Sequence, residues 1–247
     1  MITLFRRVRE KLIGEGNVRR YLLYAIGEIM LVVIGILIAL QINTWQETQK
    51  LRALELETLT GIEQALKKDI SVLDANLIKL NEKTGYAREL INHIEQKRPY
   101  NERLDSLMMD VYYHRGYKTF NTAAFELLKE RGFGIIKNAG LRNTITSHYT
   151  TDLSDINNIL NRLESLNLLR GQDVYDNFKV YGDEEGNGFI GPYDYDELLE
   201  NPRIFGPFYH FELIIKAYQN NLDDYKIKSE QVLNAVTAEL LERGEQR

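Results

Sequence analysis

From Tyr21 to Ile42 the chain runs 22 residues with a single charged side chain, Glu28, in an otherwise almost wholly apolar stretch. Wound as an α-helix, that stretch spans roughly 33 Å, about one bilayer hydrocarbon core. A cleaved signal peptide would carry an apolar region of about 7–15 residues followed by a small-x-small site. Here the run is longer and leads into Gln41-Ile-Asn-Thr-Trp45, so it reads as an uncleaved transmembrane helix. Basic residues precede it and Trp45 follows as an interfacial anchor, which puts the expected N-terminus in the cytoplasm. No second apolar stretch of that length follows, and everything after Asn43 is expected on the far side of the bilayer.

The formal charge of −5 conceals an asymmetry that fits this orientation. Residues 1–20 carry six basic side chains (Arg6, Arg7, Arg9, Lys11, Arg19, Arg20) against Glu10 and Glu15, a net of +4, whereas residues 29–247 carry 25 basic and 33 acidic groups, a net of −8. So local a basic arm, ahead of so acidic a domain, excludes a nucleic-acid reader. The absence of cysteine excludes disulfides, thiolate metal sites, cysteine nucleophiles and a lipidated cysteine. Phe5, Val8 and Leu12 share one face of residues 2–13, with mostly basic side chains around them. Two readings stand there: a short amphipathic helix on the anionic leaflet, or a disordered topology signal.

Beyond the anchor, apolar residues recur in alternating steps of three and four. Leu56, Leu59, Leu66, Ile70, Leu73, Leu77, Leu80, Ala87, Ile91 and Ile94 form one seam, interrupted at Glu63 and Thr84. The spacing predicts a long helix from about Gln46 to Lys97, stopped by Pro99. Continued backwards, the register passes through Trp45, Ile42, Ile38, Gly35, Leu31, Glu28, Tyr24 and Tyr21, so the membrane helix is expected to continue into the long helix as one rod. Leu104, Leu107, Met108, Val111 and Tyr112 make a short amphipathic segment. Asn121 and Thr122 offer N-caps to a helix ending at Arg131, and Gly132 can close it. Asn138 then caps a helix expected over Ala139–Val180, and a last helix is expected over Pro207–Leu241. Between them lies a Gly/Pro/Asp-rich stretch, and strand alternation is nowhere sustained. At 44% hydrophobic, the 247 residues can bury one sizeable core. The expected fold is all-α, a single N-terminal transmembrane helix continuing into a long-helix antiparallel bundle. The expected divisions are 1–20 cytoplasmic, 21–43 membrane and 44–247 periplasmic.

The block from Tyr24-Ala-Ile-Gly-Glu28 through Gln41-Ile-Asn-Thr-Trp45 resembles a family of uncharacterised single-pass membrane proteins of Gram-negative bacteria. A looser pattern follows at Phe125-Glu-Leu-Leu-Lys-Glu-Arg-Gly132, Ile136-Lys-Asn138, Leu141-Arg-Asn143 and Tyr149. The likeness is specific over about 25 residues and loose over the next hundred. Where the family pattern has Asn-Trp-Asn, this chain has Thr44-Trp45-Gln46. The resemblance implies an inner-membrane anchor with a periplasmic domain and supplies no activity.

Glu28 is the sharpest chemical feature, because an ionised carboxylate deep in a membrane helix costs about 2.5–3.5 kcal/mol or more. Tyr24, one turn earlier, can donate to it, and Gly35 with Ala39 form a small-xxx-small pair that lets helices approach closely. Three readings stand: a proton-binding or partner-pairing carboxylate, a protonated Glu that fixes register across a helix oligomer, or a side chain nearer the headgroups.

The second feature is Asp183-Glu-Glu-Gly-Asn-Gly-Phe-Ile-Gly-Pro-Tyr-Asp194. It resembles an EF-hand calcium loop, with Asp183, Glu185, Asn187, the Phe189 carbonyl and Asp194 at ligand positions and Gly188 at the sharp turn. Glu at the third position, Asp at the last and Pro192 depart from that pattern and favour an acidic surface loop. His93, His114, His148 and His210 show no zinc spacing. No nucleophile elbow, phosphate loop or dinucleotide fingerprint appears. No enzymatic activity is expected, and no cofactor apart from calcium at that loop.

The leading expectation is therefore a non-enzymatic, membrane-anchored helical scaffold or sensor that forms a homo-oligomer through its transmembrane and long helices. Its expected partners are the lipid bilayer and an unidentified membrane or periplasmic protein. The alternatives are a subunit of a proton- or ion-linked membrane complex using Glu28, and a periplasmic calcium- or ligand-binding sensor. A sensor would need a partner for its output, because 20 residues ahead of the anchor are too few for a kinase.

Overall fold

The computed structural model describes residues 18–112, 120–159, 161–162 and 175–245. The amphipathic segment expected over residues 2–13 lies outside them, as do residues 163–174. The chain divides into two compact units, Met1–Glu55 and Leu56–Arg247.

Helix α1, Val18–Glu95, is unbroken over 78 residues and contributes to both units. No proline interrupts it, so every interior carbonyl has an N–H to accept from. It stops at Glu95, one residue after the seam ends and two short of the expected Lys97, which takes a positive φ of 45°; Pro99 beyond it cannot continue the ladder.

In the first unit, the large apolar side chains from Leu22 to Ile42 are all 44–63% exposed. This is the one helix among the described residues that is long and apolar enough to cross a membrane, and none of its apolar window is buried. At the end of the run the Thr44 hydroxyl donates to the Leu40 carbonyl at 2.9 Å, so it needs no water there.

The second unit is a helical bundle. Leu59, Leu66, Leu73, Leu80, Ala87 and Ile94 recur every seventh residue of α1 and are all buried, the column that the heptad spacing predicts. The flanking residues are a correction. Ile70 and Leu77 are only half-buried, whereas Asp69 and Asn76, on the other flank with Ile62 and Leu90, are buried. Helix α1 thus turns a polar pair inward.

Four short elements follow: α2, Arg103–Tyr112; α3, Ala123–Arg131; a 3₁₀ turn, Phe133–Ile135; and α4, Ala139–Ser147. Asn121 Oδ1 accepts the Ala123 N–H, and Gly132 closes α3 with φ 91°, donating to the carbonyls of Leu128 and Lys129. Asn138 caps α4 as expected, its Oδ1 accepting the Leu141 N–H at 3.1 Å.

The helix expected over Ala139–Val180 is not continuous. A π-helical turn, His148–Asp152, interrupts it, α-helix resumes over residues 153–159, and Phe178–Gly182 is strand β1. It pairs antiparallel with β2, Gly188–Pro192, from Phe178↔Pro192 to Gly182↔Gly188. After α5, Tyr195–Glu200, helix α6 runs Pro202–Glu245, beginning five residues before the expected Pro207. So near an N-terminus Pro207 costs one ladder bond and does not stop the helix.

Helix α6 buries Phe211, Ile215, Tyr218, Leu222, Tyr225, Ser229, Val232 and Val236 in steps of four and three. It lies antiparallel to α1, and their flanks are joined by a ladder. Thr237 Oγ1 donates to Glu63 (3.0 Å), Lys226 Nζ pairs with Asp74 (2.6 Å), Gln219 Nε2 donates to Asn81 (2.9 Å) and Arg88 Nε pairs with Glu212 (2.7 Å). Each step of eleven or seven along α1 is matched by an equal step back along α6, so the two helices hold one register.

Candidate functional site

The residues singled out in the membrane stretch lie together on α1. Tyr24 and Glu28 are half-buried, one turn apart, while Gly35 and Ala39 are exposed and a side chain added at Gly35 would meet nothing. This stretch of helix is apolar and carries one carboxylate.

The residues of the suspected calcium loop are distributed differently from a metal cage. Asp183 Oδ1 accepts the N–H groups of Glu185 (3.0 Å) and Asn187 (2.8 Å), and its Oδ2 accepts Asn187 Nδ2 (2.7 Å). The Asn187 amide and these backbone donors hold the Asp183 carboxyl below the usual carboxylate range. Gly186, at φ 84°, makes the turn between the strands. Phe189 belongs to β2 and stacks on Tyr181 at 5.4 Å, and Asp194 caps α5 through the Glu197 N–H. Among the described residues, no three His, Asp or Glu side chains converge on one point as a metal set.

What fixes this hairpin is Asp105 of α2, fully buried. Its carboxyl accepts the hydroxyls of Tyr100 (2.7 Å) and of Tyr181 on β1 (2.6 Å). It also lies against Gly191 of β2, where a Cβ would sit 2.9 Å from Asp105 Cγ, so only glycine fits. The hydrogen bond to Asp105 and partial burial push the Tyr181 phenol up to about 12. Burial and the same acid raise Tyr100 further.

A second polar cluster occupies the middle of the bundle, built from four segments. Helix α1 supplies Asp69, the chain before α3 supplies Asn121, the π-turn supplies His148, Tyr149 and Asp152, and α6 supplies Tyr225 and Lys228. Asp69 is 2% exposed and accepts the Asn121 N–H at 2.8 Å; burial raises its pKa against that bond. His148 is 1% exposed, its ring parallel to that of Tyr225 with centroids 5.0 Å apart. The Tyr225 hydroxyl lies 3.3 Å from His148 Nε2. Burial drives the His148 imidazole down to about 4, against the pull of Asp152. Phe125 stacks on Tyr149 at 4.8 Å, and Phe120 meets Tyr225 edge-on at 5.3 Å, walling the cluster with aromatic carbon. Burial and the nearby Asp69 raise both Tyr149 and Tyr225. His148 Nδ1 and the Tyr149 hydroxyl have no hydrogen-bond partner among the described residues.

Chemically, the cluster can take up a proton or redistribute one between buried groups. A groove of about 390 Å³ beside it is lined by Asp152, Asp155, Asp224, Tyr225 and Lys228, while His148 stays behind them. Sequence reasoning passed over these residues because they are far apart in the chain. Asp69 and Asn76 lie beside the apolar seam, in a column that also holds Lys83, and nothing near them in the chain sets them apart from solvated residues.

Fold and site together define a helical bundle that follows a long apolar helix. The chain belongs to a family of unknown function, DUF6090, whose model matches residues 28–162, more than half of its length. The matched region begins at Glu28 and takes in Gly35, Ala39, Asp69, the Phe125–Tyr149 pattern and the π-turn. No curated protein and no solved structure matches the chain.

Proposed function

We propose that the chain is a non-enzymatic helical module anchored in the bacterial inner membrane, N-terminus in the cytoplasm, with residues 44–247 presenting a periplasmic surface to a partner protein. The observation that carries this reading is the fourteen large apolar side chains between Leu22 and Ile42, exposed all round α1. Each such side chain left in water forgoes about 1.5–3 kcal/mol of burial, and lipid is the medium that recovers it on every side of a helix at once. The +4 charge before the run and Trp45 after it support the orientation. A C-terminal reporter active only in the cytoplasm should be silent while the protein stays in the membrane pellet through alkaline extraction. A strong cytoplasmic signal, or release into the supernatant, overturns the proposal.

Self-association belongs to the same reading. Tyr24, Glu28, Leu31, Gly35, Ile38 and Ile42 share one face at 3.5-residue periodicity, and Gly35 with Ala39 permits close helix approach. With no native cysteine, single cysteines along residues 24–42 can be crosslinked cleanly. Crosslinks should peak at 28 and 35; a peak at Ile29, Val33 and Leu40 would place the interface on the opposite face.

A second reading, a subunit of a proton- or ion-linked complex, is favoured by Glu28 alone, the one charge between Arg20 and Glu47. Glu28→Gln separates the two. Assembly should survive it if the carboxyl only fixes register, whereas proton-linked activity would be lost with assembly intact.

A further inference from the structure

The cluster at the π-turn contains a carboxylate placed between an ammonium and an imidazole. Asp152 Oδ1 holds Lys228 Nζ of α6 at 2.6 Å, while its Oδ2 lies 3.9 Å from the buried, unpartnered Nδ1 of His148. Tyr225 Oη lies 3.3 Å from Nε2, and in the tautomer where that hydroxyl donates, the proton of neutral His148 sits on Nδ1, which has no partner within bonding distance among the described residues. A charge-assisted N–H···O bond has a length of about 2.8 Å, so closing this gap takes about 1 Å. The turn itself is π-helical, a departure from the α-helical ladder that is rare and recurs at functional sites.

We propose that the turn His148–Asp152 is an acid-operated switch, in which His148 takes one proton from solvent and draws Asp152 away from Lys228. Lys228 then turns to Asp155 or Asp224, the other carboxylates near enough to influence it, and the link between the π-turn and α6 is exchanged. The proton ends on the imidazole, no covalent bond changes, and the groove beside α6 rearranges its charges.

The groups facing His148 bear on this from every side. Asp152 on its own turn favours the protonated ring, Lys228 of α6 opposes it, and Tyr225 of α6 stays neutral. Asp69 of α1 influences Tyr149 and Tyr225 and itself gains a proton in acid, so its titration has to be separated from that of His148. Desolvation holds the imidazole neutral until the solution is well below pH 6, so the exchange belongs to acid stress and not to neutral growth. The inference rests on the periplasmic reading only for its biological use, because a domain outside the cytoplasm meets external acid; the chemistry is independent of topology.

The test is an NMR titration of the purified full chain in nanodiscs, labelled at His and Lys, from pH 7 to pH 3.5. The Lys228 ammonium signal is expected to shift with the same midpoint as the His148 ring nitrogens. Asp69→Asn should leave that shared midpoint within a few tenths of a unit. Asp152→Asn should abolish the Lys228 response and move the His148 midpoint lower. Coincident midpoints in the wild-type chain suffice even where a variant fails to fold. A Lys228 signal that stays constant through the His148 transition, or that follows Asp69 instead, overturns the proposal. So does simultaneous loss of every amide signal, which would mean acid unfolding without a switch.

Discussion

Helix α1 runs through two kinds of surroundings along one backbone, and its two halves dispose their apolar side chains in opposite ways. Between Leu22 and Ile42 the large aliphatic side chains surround the helix and are all exposed; between Leu59 and Ile94 the buried ones gather on one face, a central column and its flanks. The first half has almost no polar side chain to hold a neighbour in place. The second half carries buried Asp69 and Asn76 and a flank of ion pairs and hydrogen bonds to α6. A helix among other helices needs polar groups to choose one register out of several apolar ones, as a buried Asn does in a coiled coil. Lipid imposes no register, so a segment of the first kind, placed in a bilayer as proposed, needs no polar group for that purpose. Hydrophobicity alone thus decides which medium a segment enters, and polar residues decide how it docks there.

The sharpest way to break this contrast is to truncate one apolar residue in each half. Leu73→Ala, at a fully buried position, should cost about 2–5 kcal/mol in denaturant unfolding of the purified chain. Ile34→Ala should leave that unfolding within about 0.5 kcal/mol. Equal losses would mean that the first half is packed against protein and not lipid. The converse probe is Ile34→Arg, expected to penalise membrane insertion by about 2.5–3.5 kcal/mol, read as the fraction of chains inserted.

Acid should separate the buried half next. His148 has a folded-state pKa of about 4, below its unfolded value near 6.5, so the unfolded chain binds the extra proton between those limits. Stability from neutral His148 is complete above pH 6.5 and is lost as pH falls towards 4, by about 3 kcal/mol in all. Asp69 works the other way. Its raised pKa makes ionisation in the fold unfavourable, and stability returns as it takes up a proton in acid. Thermal melts of His148→Gln should lose much of the fall between pH 6.5 and 4, while Asp69→Asn should steepen it. A wild-type profile that is flat across this window would show that His148 is reached by water in the fold.

Gly191→Ala should cost about 1–3 kcal/mol, because the new methyl collides with the Asp105 carboxyl and lifts β2 from α2. Exchange of the amides in β1 and β2 should rise while those of α1 stay protected. The smallest effect belongs to the ladder: Lys226→Ala, removing a part-exposed pair with Asp74, should cost about 0.2–1 kcal/mol. A loss well above that range would mean the rungs are coupled.

Much of this arrangement was legible in the residues, for physical reasons that also explain what was not. Leu59, Leu66, Leu73 and Leu80 announce themselves because apolar side chains at heptad spacing have one use. The α6 positions from Phe211 to Val236 do so for the same reason. Asp69 and Asn76 do not, since polar residues on a helix are ordinarily solvated and nothing local distinguishes the buried ones. The hairpin was hidden by its own burial. In β1 only Phe178 is buried and Lys179 to Gly182 are exposed, so no alternation exists to be read. Its turn invited a calcium reading because an Asp beside Gly and Asn suits both purposes. An Asp that gathers N–H donors closes a turn, and the same oxygens facing outward would hold an ion. The π-turn, which packs against α6, had no signal in the residues.

The matched steps between α1 and α6 bear on how such a sequence can change over generations. A residue deleted between Glu63 and Arg88 would rotate everything beyond it by about 100°. The buried column and the flanking contacts would fall out of phase together, and no repacking of single side chains could restore both. Only a matching deletion in α6, between Glu212 and Thr237, would bring the two helices back into step. These stretches should therefore tolerate substitution while refusing changes of length, and the short connections around Gly132 and Asn201 should be where relatives of this chain differ in length.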